Sequence, residues 1–138
     1  PIYVVSKSIH RVLNGMSPEL YDGGKQTRCF TYIDDAIDGL MLAANLETAV
    51  GNVINIGNNK ENTMCEVVEE VLEASKSDLE ILHINTEEKY GSVYEDIPRR
   101  IPSIDKAMEL LKWKPHTSLK EGIKKTVEWA KKNQWYLN

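Results

Sequence analysis

Apolar residues recur every three or four positions along five stretches of the chain, and this spacing predicts five amphipathic helices. Polar capping residues support two of them. Asp34 or Asp35 is placed to cap the second helix, and Thr63 with Glu66 forms a capping box at the start of the third. The predicted helices cover roughly residues 2–14, 34–44, 63–74, 104–111 and 119–130.

Short runs of β-branched, aromatic and aliphatic residues between these helices predict strands. Paired glycines at 23 and 24 predict a turn directly after the first strand. Residues 85–100 are polar and irregular, and a loop of this length is commonly functional. The predicted strands are residues 19–21, 30–33, 53–56 and 79–84.

The alternation of short strands and helices predicts a small α/β fold, formed by residues 1–138 as one domain. Neither G-x-G-x-x-G nor G-x-x-G-x-x-G follows an early strand. That turn is what places backbone N–H groups and a helix N-terminus against a dinucleotide pyrophosphate. We therefore expect no bound cofactor in this chain by itself.

Charge and composition exclude several classes of function. The net charge of −4 gives no reason to expect a nucleic-acid partner, and no apolar run is long enough to span a membrane. The three histidines are scattered, so no metal site is expected. Cys29 and Cys65 suit reduced thiols in a cytoplasmic protein. Because the chain begins at Pro1, we expect that an upstream part is missing.

The most informative stretch runs from Asp22 to Asp35. Its two glycines allow a ligand to approach the backbone closely, and Arg28 offers a planar fork of donors that matches a diphosphate. Lys25 is a second cation in the same stretch. A surface hairpin with a hydrated arginine would fit these residues equally well.

The stretch resembles the substrate-binding segment of the extended short-chain dehydrogenase/reductase family, the NAD-dependent epimerases and dehydratases. Members have a D-G-x-x-x-R-x-F/W-x-Y/H-V/I-x-D run at the entry to a small C-terminal lobe, and this chain matches the run from Gly24 to Asp35. The resemblance implies that Arg28 grips a nucleotide diphosphate. It also implies that the strand before the glycines lines the nucleotide base through its backbone. The residues implied to line the nucleotide pocket are Leu20, Tyr21, Asp22, Gly23, Gly24, Lys25, Gln26 and Thr27.

Two later segments strengthen the resemblance. Residues 53–57, V-I-N-I-G, are similar to a family strand in which Asn55 is a structural residue, and residues 94–104 with L-K-W-K-P at 111–115 are similar to the family's closing block. The combination is most similar to UDP-glucuronate decarboxylases. The resemblance implies that Tyr94 closes over the substrate and that Arg100 is catalytic, either as proton donor or by stabilising the enolate left when carbon dioxide departs.

The implied fold is the C-terminal substrate-binding lobe, with short strands and three to five helices and without the Rossmann half. In an intact enzyme, NAD bound by that missing half would oxidise the sugar 4-hydroxyl, and the β-keto acid would then lose carbon dioxide. The implied partners are a UDP-sugar and the Rossmann half, in a homodimer. Because Glu19 stands where the decarboxylases have a basic residue and the loop before Tyr94 is shorter than theirs, a 4-epimerase or a 4,6-dehydratase stays open. A non-catalytic nucleotide-sugar-binding or interaction module is a separate alternative.

Tyr3 and Lys7 form a Y-x-x-x-K pair, which is the spacing of the catalytic residues in short-chain dehydrogenases. In extended members that pair lies far upstream of the D-G-x-x-x-R segment, whereas only a few residues separate them here. We therefore interpret Tyr3 and Lys7 as ordinary helix residues.

Overall fold

Six helices and four short strands make up the part of the chain that the computed structural model describes, residues 3–91 and 97–137. The helices are α1 (Val4–Leu13), α2 (Ile33–Asn45), α3 (Met64–Ser75), α4 (Thr86–Tyr90), α5 (Asp105–Leu111) and α6 (Leu119–Lys132). The strands are β1 (Glu19–Tyr21), β2 (Thr27–Cys29), β3 (Glu61–Thr63) and β4 (Leu82–Ile84). This architecture confirms the predicted small α/β fold.

The main core lies between α1, α3 and α6, which pack their apolar stripes against one another. Burying each of these aliphatic side chains contributes about 1.5–3 kcal/mol, so the three helices form the rigid base of the domain. The buried residues of this core are Ile9, Val12, Val67, Val71, Ile123, Val127 and Ala130.

A second, smaller core joins α5 to α2. Leu111 and Trp113 are nearly inaccessible, and they pack against Leu42 and Ile56. The Trp113 ring also lies so close to Gly39 that an added methyl group would meet it at 2.9 Å. Gly39 is therefore required for the close approach of α2 to this core.

The strands form two separate two-stranded sheets. β1 pairs with β4 in parallel, with Tyr21 opposite Ile84, and β2 pairs with β3 in antiparallel register, with Arg28 opposite Asn62. α3 packs against β1 and begins directly after β3, so this core helix holds an edge of each sheet.

Two predicted strands are wrong. Residues 53–56 pair with no described strand, and Val53 is 84 % exposed, because a β-ladder requires a neighbouring backbone that the described residues do not supply. The strand predicted at 30–33 lies instead at Thr27–Cys29, where β3 offers hydrogen bonds. The prediction also missed α4 within residues 85–100, which Asn85 caps by accepting from the N–H groups of Glu87 and Glu88.

The two predicted caps have different outcomes. The capping box is confirmed, because the Glu66 N–H donates to Thr63 Oγ1 at 3.1 Å and the Thr63 N–H donates to Glu66 Oε2 at 2.7 Å. The prediction for α2 is wrong. Its N-cap residue is Tyr32, and Asp35 faces inward, where it is fully buried.

Asp35 joins α2 to the segment before α6. Its carboxylate accepts hydrogen bonds from the His116 N–H at 3.1 Å and from the Thr117 N–H and hydroxyl at 2.9 and 3.0 Å. The Asp35 carbonyl accepts from Trp113 Nε1 at 3.1 Å. Burial alone would raise the pKa of Asp35, but these hydrogen bonds outweigh it and lower the pKa below its ordinary value. The buried charge is therefore satisfied and fixes how the two parts meet.

We predict that Asp35→Ala lowers the free energy of unfolding by about 3 kcal/mol, because it leaves several buried donors without an acceptor. Urea denaturation at pH 7 measures the change. Asp38→Ala on the exposed side of α2 is the matched control and should change the value by less than about 0.5 kcal/mol. Equal effects of the two variants would contradict the role given to Asp35.

Candidate functional site

The carboxyl ends of β1 and β4 lie side by side, since the two strands are parallel and in register. β1 continues into residues 22–26, here called the glycine turn, and β4 continues through Asn85 into α4. The edge beyond the carboxyl ends of parallel strands is where ligands commonly bind in α/β proteins. The predicted nucleotide-binding stretch therefore starts at such an edge.

The glycine turn is held in an unusual backbone conformation. Asp22, Gly23 and Gly24 have φ values of 48°, 72° and 62°, all in the left-handed region that favours glycine. Gly24 is buried, and a methyl group there would lie 2.4 Å from Leu20 Cδ1 and 2.9 Å from the Cys65 nitrogen. Gly23 has no atom within 4 Å of that position. The space beside Gly24 is thus filled by other residues of the protein, whereas the space beside Gly23 is open to solvent or a ligand.

Asp22 connects the glycine turn to α4. Its Oδ1 accepts from the Thr86 N–H at 2.9 Å, and its Oδ2 accepts from the Thr86 hydroxyl at 2.6 Å. These hydrogen bonds lower the pKa of Asp22 below its ordinary value. Sequence analysis assigned Asp22 to the ligand pocket and gave no sign of Thr86, which lies 64 residues away.

Leu20 and Tyr21 are held by the protein interior. Leu20 is 1 % exposed, so neither its side chain nor its backbone presents a free surface. The Tyr21 hydroxyl donates to Glu19 Oε2 at 2.6 Å and accepts from Lys7 Nζ at 3.0 Å. Lys7 and Arg11 also form ion pairs with Glu19, at 2.5 and 3.3 Å. The hydrogen bonds from Lys7 and Tyr21 lower the pKa of Glu19 to about 2.

The same network includes Lys7 of the Y-x-x-x-K pair but not Tyr3. Lys7 directs its ammonium group to Glu19 and Tyr21, and Tyr3 is 78 % exposed at the start of α1. Lys7 therefore serves to hold β1 against α1.

β2 lies between two backbone neighbours. On one side it pairs with β3, and on the other Thr27 forms a parallel bridge with Arg99 and its N–H donates to the Pro98 carbonyl at 3.0 Å. Cys29 Sγ lies 3.8 Å from the Arg100 carbonyl oxygen. The late segment predicted to contain a catalytic arginine therefore runs alongside the strand that contains Arg28.

One face of this arrangement is a polar clamp of Thr27, Glu61 and Arg99. Glu61 accepts from the Thr27 hydroxyl at 2.8 Å and from two guanidinium nitrogens of Arg99, each at 2.9 Å. The bonds from Arg99 and Thr27 lower the pKa of Glu61, and those with Glu61 raise the pKa of Arg99. No sequence signal links residues 38 positions apart, so this clamp was not predicted.

The opposite face, here called the arginine face, holds the positions of Arg28, Asn62 and Arg100. Side chains alternate along a strand, and partners in register share a face, so Arg28 and Asn62 lie opposite the clamp. We infer the same side for Arg100, because it directly follows Arg99, the residue bridged to Thr27. Arg28 is half-buried and donates from Nη1 to the Thr27 carbonyl at 2.8 Å, and Arg100 is exposed. The structure thus brings the two predicted arginines to neighbouring backbone segments.

The other predicted site residues have different positions. Lys25 is exposed, while the Gln26 carbonyl accepts from the Met64 N–H at 3.1 Å and so connects the glycine turn to α3. Tyr94 lies outside the described residues. Among the described residues, no group of three or more histidine, cysteine or acidic side chains could hold a metal ion. No helix among them has the length and apolarity to cross a bilayer.

Comparison with known proteins places this geometry in a family. Residues 1–126 match the GDP-mannose 4,6 dehydratase family. The chain belongs to this family. Its resemblance to the extended short-chain dehydrogenases is thereby confirmed.

Curated relatives include decarboxylases of nucleotide sugars. The chain is 35 % identical over 126 residues to the UDP-N-acetyl-alpha-D-glucosaminuronate decarboxylase of Bacillus cytotoxicus, which covers 91 % of this chain and 39 % of that protein. It is 38 % identical over 120 residues to UDP-glucuronic acid decarboxylase 6 of Arabidopsis thaliana, which covers 87 % of this chain and 33 % of the relative. The chain therefore spans well under half of these relatives.

Solved structures of family members have the same fold. UDP-glucuronic acid 4-epimerase of Bacillus cereus, solved with UDP-glucuronic acid and NAD, superposes with a TM-score of 0.82 at 26 % identity, covering 96 % of this chain and 40 % of that one. UDP-glucose 4-epimerase of Thermotoga maritima, solved with UDP-glucose, gives a TM-score of 0.83 at 28 % identity, with the same coverage.

We predict that the Glu19 network makes stability depend on acid pH. The folded-state pKa of about 2 lies below the ordinary 4.5, so the contribution of Glu19 is complete above pH 4.5 and is lost as the pH falls towards 2. Glu19→Gln should lower the unfolding free energy by about 3 kcal/mol at pH 7. The difference from wild type should disappear near pH 2.

Urea denaturation from pH 7 down to pH 2 measures this difference, with the exposed Glu80→Gln as the matched control. A difference between wild type and Glu19→Gln that stays constant with pH would contradict the ion-pair assignment.

Proposed function

We propose that this chain is the nucleotide-sugar-binding part of an NAD-dependent UDP-uronate decarboxylase of the UDP-glucuronate type. The decarboxylase names of relatives at 35 and 38 % identity support the reaction. The observation that carries the proposal is the arginine face, where Arg28 and Arg100 lie on adjacent backbone segments. We infer that the face binds the anionic part of a nucleotide sugar.

The chemistry of the two faces suits this assignment. A guanidinium group presents parallel N–H donors that match the oxygens of a diphosphate and stays charged at every physiological pH. Arg99 is already neutralised by Glu61 on the clamp face. The clamp thus keeps an acidic group away from the ligand while it holds the segment that contains Arg100.

The backbone beyond β1 suits the base and ribose. Leu20 is buried and the Tyr21 hydroxyl is committed to Glu19, so the contribution of β1 to ligand binding would come from the partly exposed Tyr21. Gly23 leaves open space at the turn. We infer that the nucleotide lies along β1 and the glycine turn, with its diphosphate directed to Arg28.

Arg100 suits a catalytic role based on charge. Its guanidinium cannot readily give up a proton, but it can stabilise negative charge that develops on the sugar when carbon dioxide leaves. Arg99 holds the segment in place through its ion pair with Glu61 and its bridge to Thr27. The backbone of Arg100, the next residue, is therefore positioned without a contact from the Arg100 side chain. We therefore assign it electrostatic stabilisation in place of proton donation.

NAD belongs to the remainder of the proposed enzyme. The B. cereus epimerase was solved with NAD, and the present chain covers 40 % of it. The residues of this chain do not fit a dinucleotide site, because neither G-x-G-x-x-G nor G-x-x-G-x-x-G joins a strand to a helix; the glycine turn leads into β2 instead. NAD would oxidise the sugar at C4, and this chain would bind and orient the nucleotide sugar.

A Rossmann half is the partner we propose for α2. Ile33, Ile37, Leu40 and Met41 form an apolar stripe on this helix and are 48 to 60 % exposed. Residues 53–56, which pair with no described strand, follow α2 in the chain. We propose that the intact enzyme is a cytoplasmic homodimer, in keeping with two free cysteines.

A nucleotide-sugar 4-epimerase is the second candidate, because the solved structures with TM-scores of 0.82 and 0.83 are 4-epimerases. Release of carbon dioxide from UDP-glucuronate by the longer protein distinguishes the two reactions. Both candidates need the same grip on UDP.

We predict that the 138-residue chain binds UDP and UDP-glucuronate and that Arg28→Ala weakens both by about ten-fold or more, because a charge-assisted hydrogen bond is lost. Isothermal titration calorimetry measures the dissociation constants. Arg28→Lys keeps the charge but not the fork and should weaken binding by a smaller factor.

Lys131→Ala removes an exposed charge on α6 and is the control for non-specific electrostatics. Lack of wild-type binding at millimolar UDP would overturn the proposed function of this chain. Equal losses in Arg28→Ala and Lys131→Ala would contradict the assignment of the arginine face.

A further inference from the structure

We propose that Asp22 is a positioning residue, which sets the shape of the glycine turn by binding Thr86 and does not itself contact the ligand. The proposal rests on the proposed function, because the turn is the part of the chain that would receive the nucleotide. It assigns a role to Thr86, a residue that lies outside the D-G-x-x-x-R run. The pair of Asp22 and Thr86 is here called the latch.

Both carboxylate oxygens of Asp22 are engaged by the latch. One accepts the Thr86 N–H at 2.9 Å and the other accepts the Thr86 hydroxyl at 2.6 Å. An ionised carboxylate repels the phosphates of a nucleotide at short range. A carboxylate committed to Thr86 is instead directed towards α4, so its function is best explained by the contact it makes.

The latch closes the gap between two strand ends. Tyr21 and Ile84 are opposite each other in the β1–β4 pair, and Asp22 and Thr86 follow them after one and two residues. A second contact spans the same gap, with Lys89 Nζ 5.4 Å from the centre of the Tyr21 ring. The end of β1 is therefore fixed to both the first and the last turn of α4, by Asp22 with Thr86 and by Tyr21 with Lys89.

The backbone of Asp22 needs such support. Its φ of 48° is uncommon for a residue with a side chain, although aspartate tolerates it better than most. The turn that begins there passes through Gly23 and Gly24 and leads directly into β2 and Arg28. Only five residues separate Asp22 from Arg28, so we expect a change at Asp22 to affect the arginine face.

Four variants separate the contributions. Thr86→Val removes the hydroxyl and keeps the N–H, while Thr86→Ser keeps both and is the matched control. Asp22→Gly removes the carboxylate and suits the positive φ, while Asp22→Asn keeps one acceptor oxygen and also tolerates that φ.

The first measurement is amide hydrogen exchange of the free chain by NMR, which does not depend on any ligand. Asp22→Gly should speed exchange of the residue 86 amide by about ten-fold, and Thr86→Val should speed it by a smaller factor. Thr86→Ser should match wild type. Unchanged exchange in Asp22→Gly would overturn the latch.

The second measurement is UDP binding by calorimetry. Thr86→Val should weaken binding by about three- to ten-fold, Asp22→Gly should weaken it at least as much, and Thr86→Ser should leave it unchanged. A loss in Asp22→Gly with normal binding by Thr86→Val would show direct ligand contact by Asp22 and overturn the positioning role. Faster exchange together with a wild-type chain that does not bind UDP would confirm the latch as a structural bond but overturn both the proposed function and the role in ligand positioning.

Discussion

The backbone pairing of β2 decides which side chains can meet a ligand. With β3 on one side and residues 98–100 on the other, the pleat sends alternate side chains to opposite faces. A shift by one residue would exchange the two faces and put Glu61 where the arginines now are. Every statement about the arginine face depends on this register.

Charges in the domain are arranged around that pairing. Glu61 takes the guanidinium group of Arg99, and Glu19 takes the ammonium group of Lys7 together with a guanidinium nitrogen of Arg11. The Glu61–Arg99 pair joins β3 to a segment 38 residues later, and the two pairs of Glu19 join β1 to α1, the helix that precedes it. Glu61 and Glu19 are thereby neutralised by specific cations, which favours the proposed binding of an anion on the arginine face even though the net charge of the chain is −4.

Periodic apolar residues were sufficient to predict the helices of the main core, because burial of one face is a local property of the sequence. The capping box of α3 could be read for the same reason. The strand at 53–56 could not be judged, since pairing needs a second backbone that no local pattern reveals. Asp35 resembled a cap because an aspartate before an apolar stripe is typical of one. Its carboxylate instead accepts hydrogen bonds from His116 and Thr117, which lie 81 and 82 residues away.

In the candidate site, too, local sequence motifs could be predicted and contacts between distant residues could not. Arg28 and the glycine turn were found by their resemblance to a family motif, and Arg100 by its place in the closing block. The contacts of Asp22 with Thr86 and of Glu61 with Arg99 join residues 64 and 38 positions apart and became visible only in the structure. Side chains assigned to a ligand by motif can thus be committed to the protein, as Asp22 and Tyr21 are.

A crystal structure of the chain with UDP tests the central claim most directly. The predicted result is a diphosphate on the arginine face, with its oxygens about 2.7–2.9 Å from guanidinium nitrogens of Arg28 and with the Glu61–Arg99 ion pair intact on the other face. UDP bound on the clamp face, or a diphosphate remote from Arg28, would contradict it.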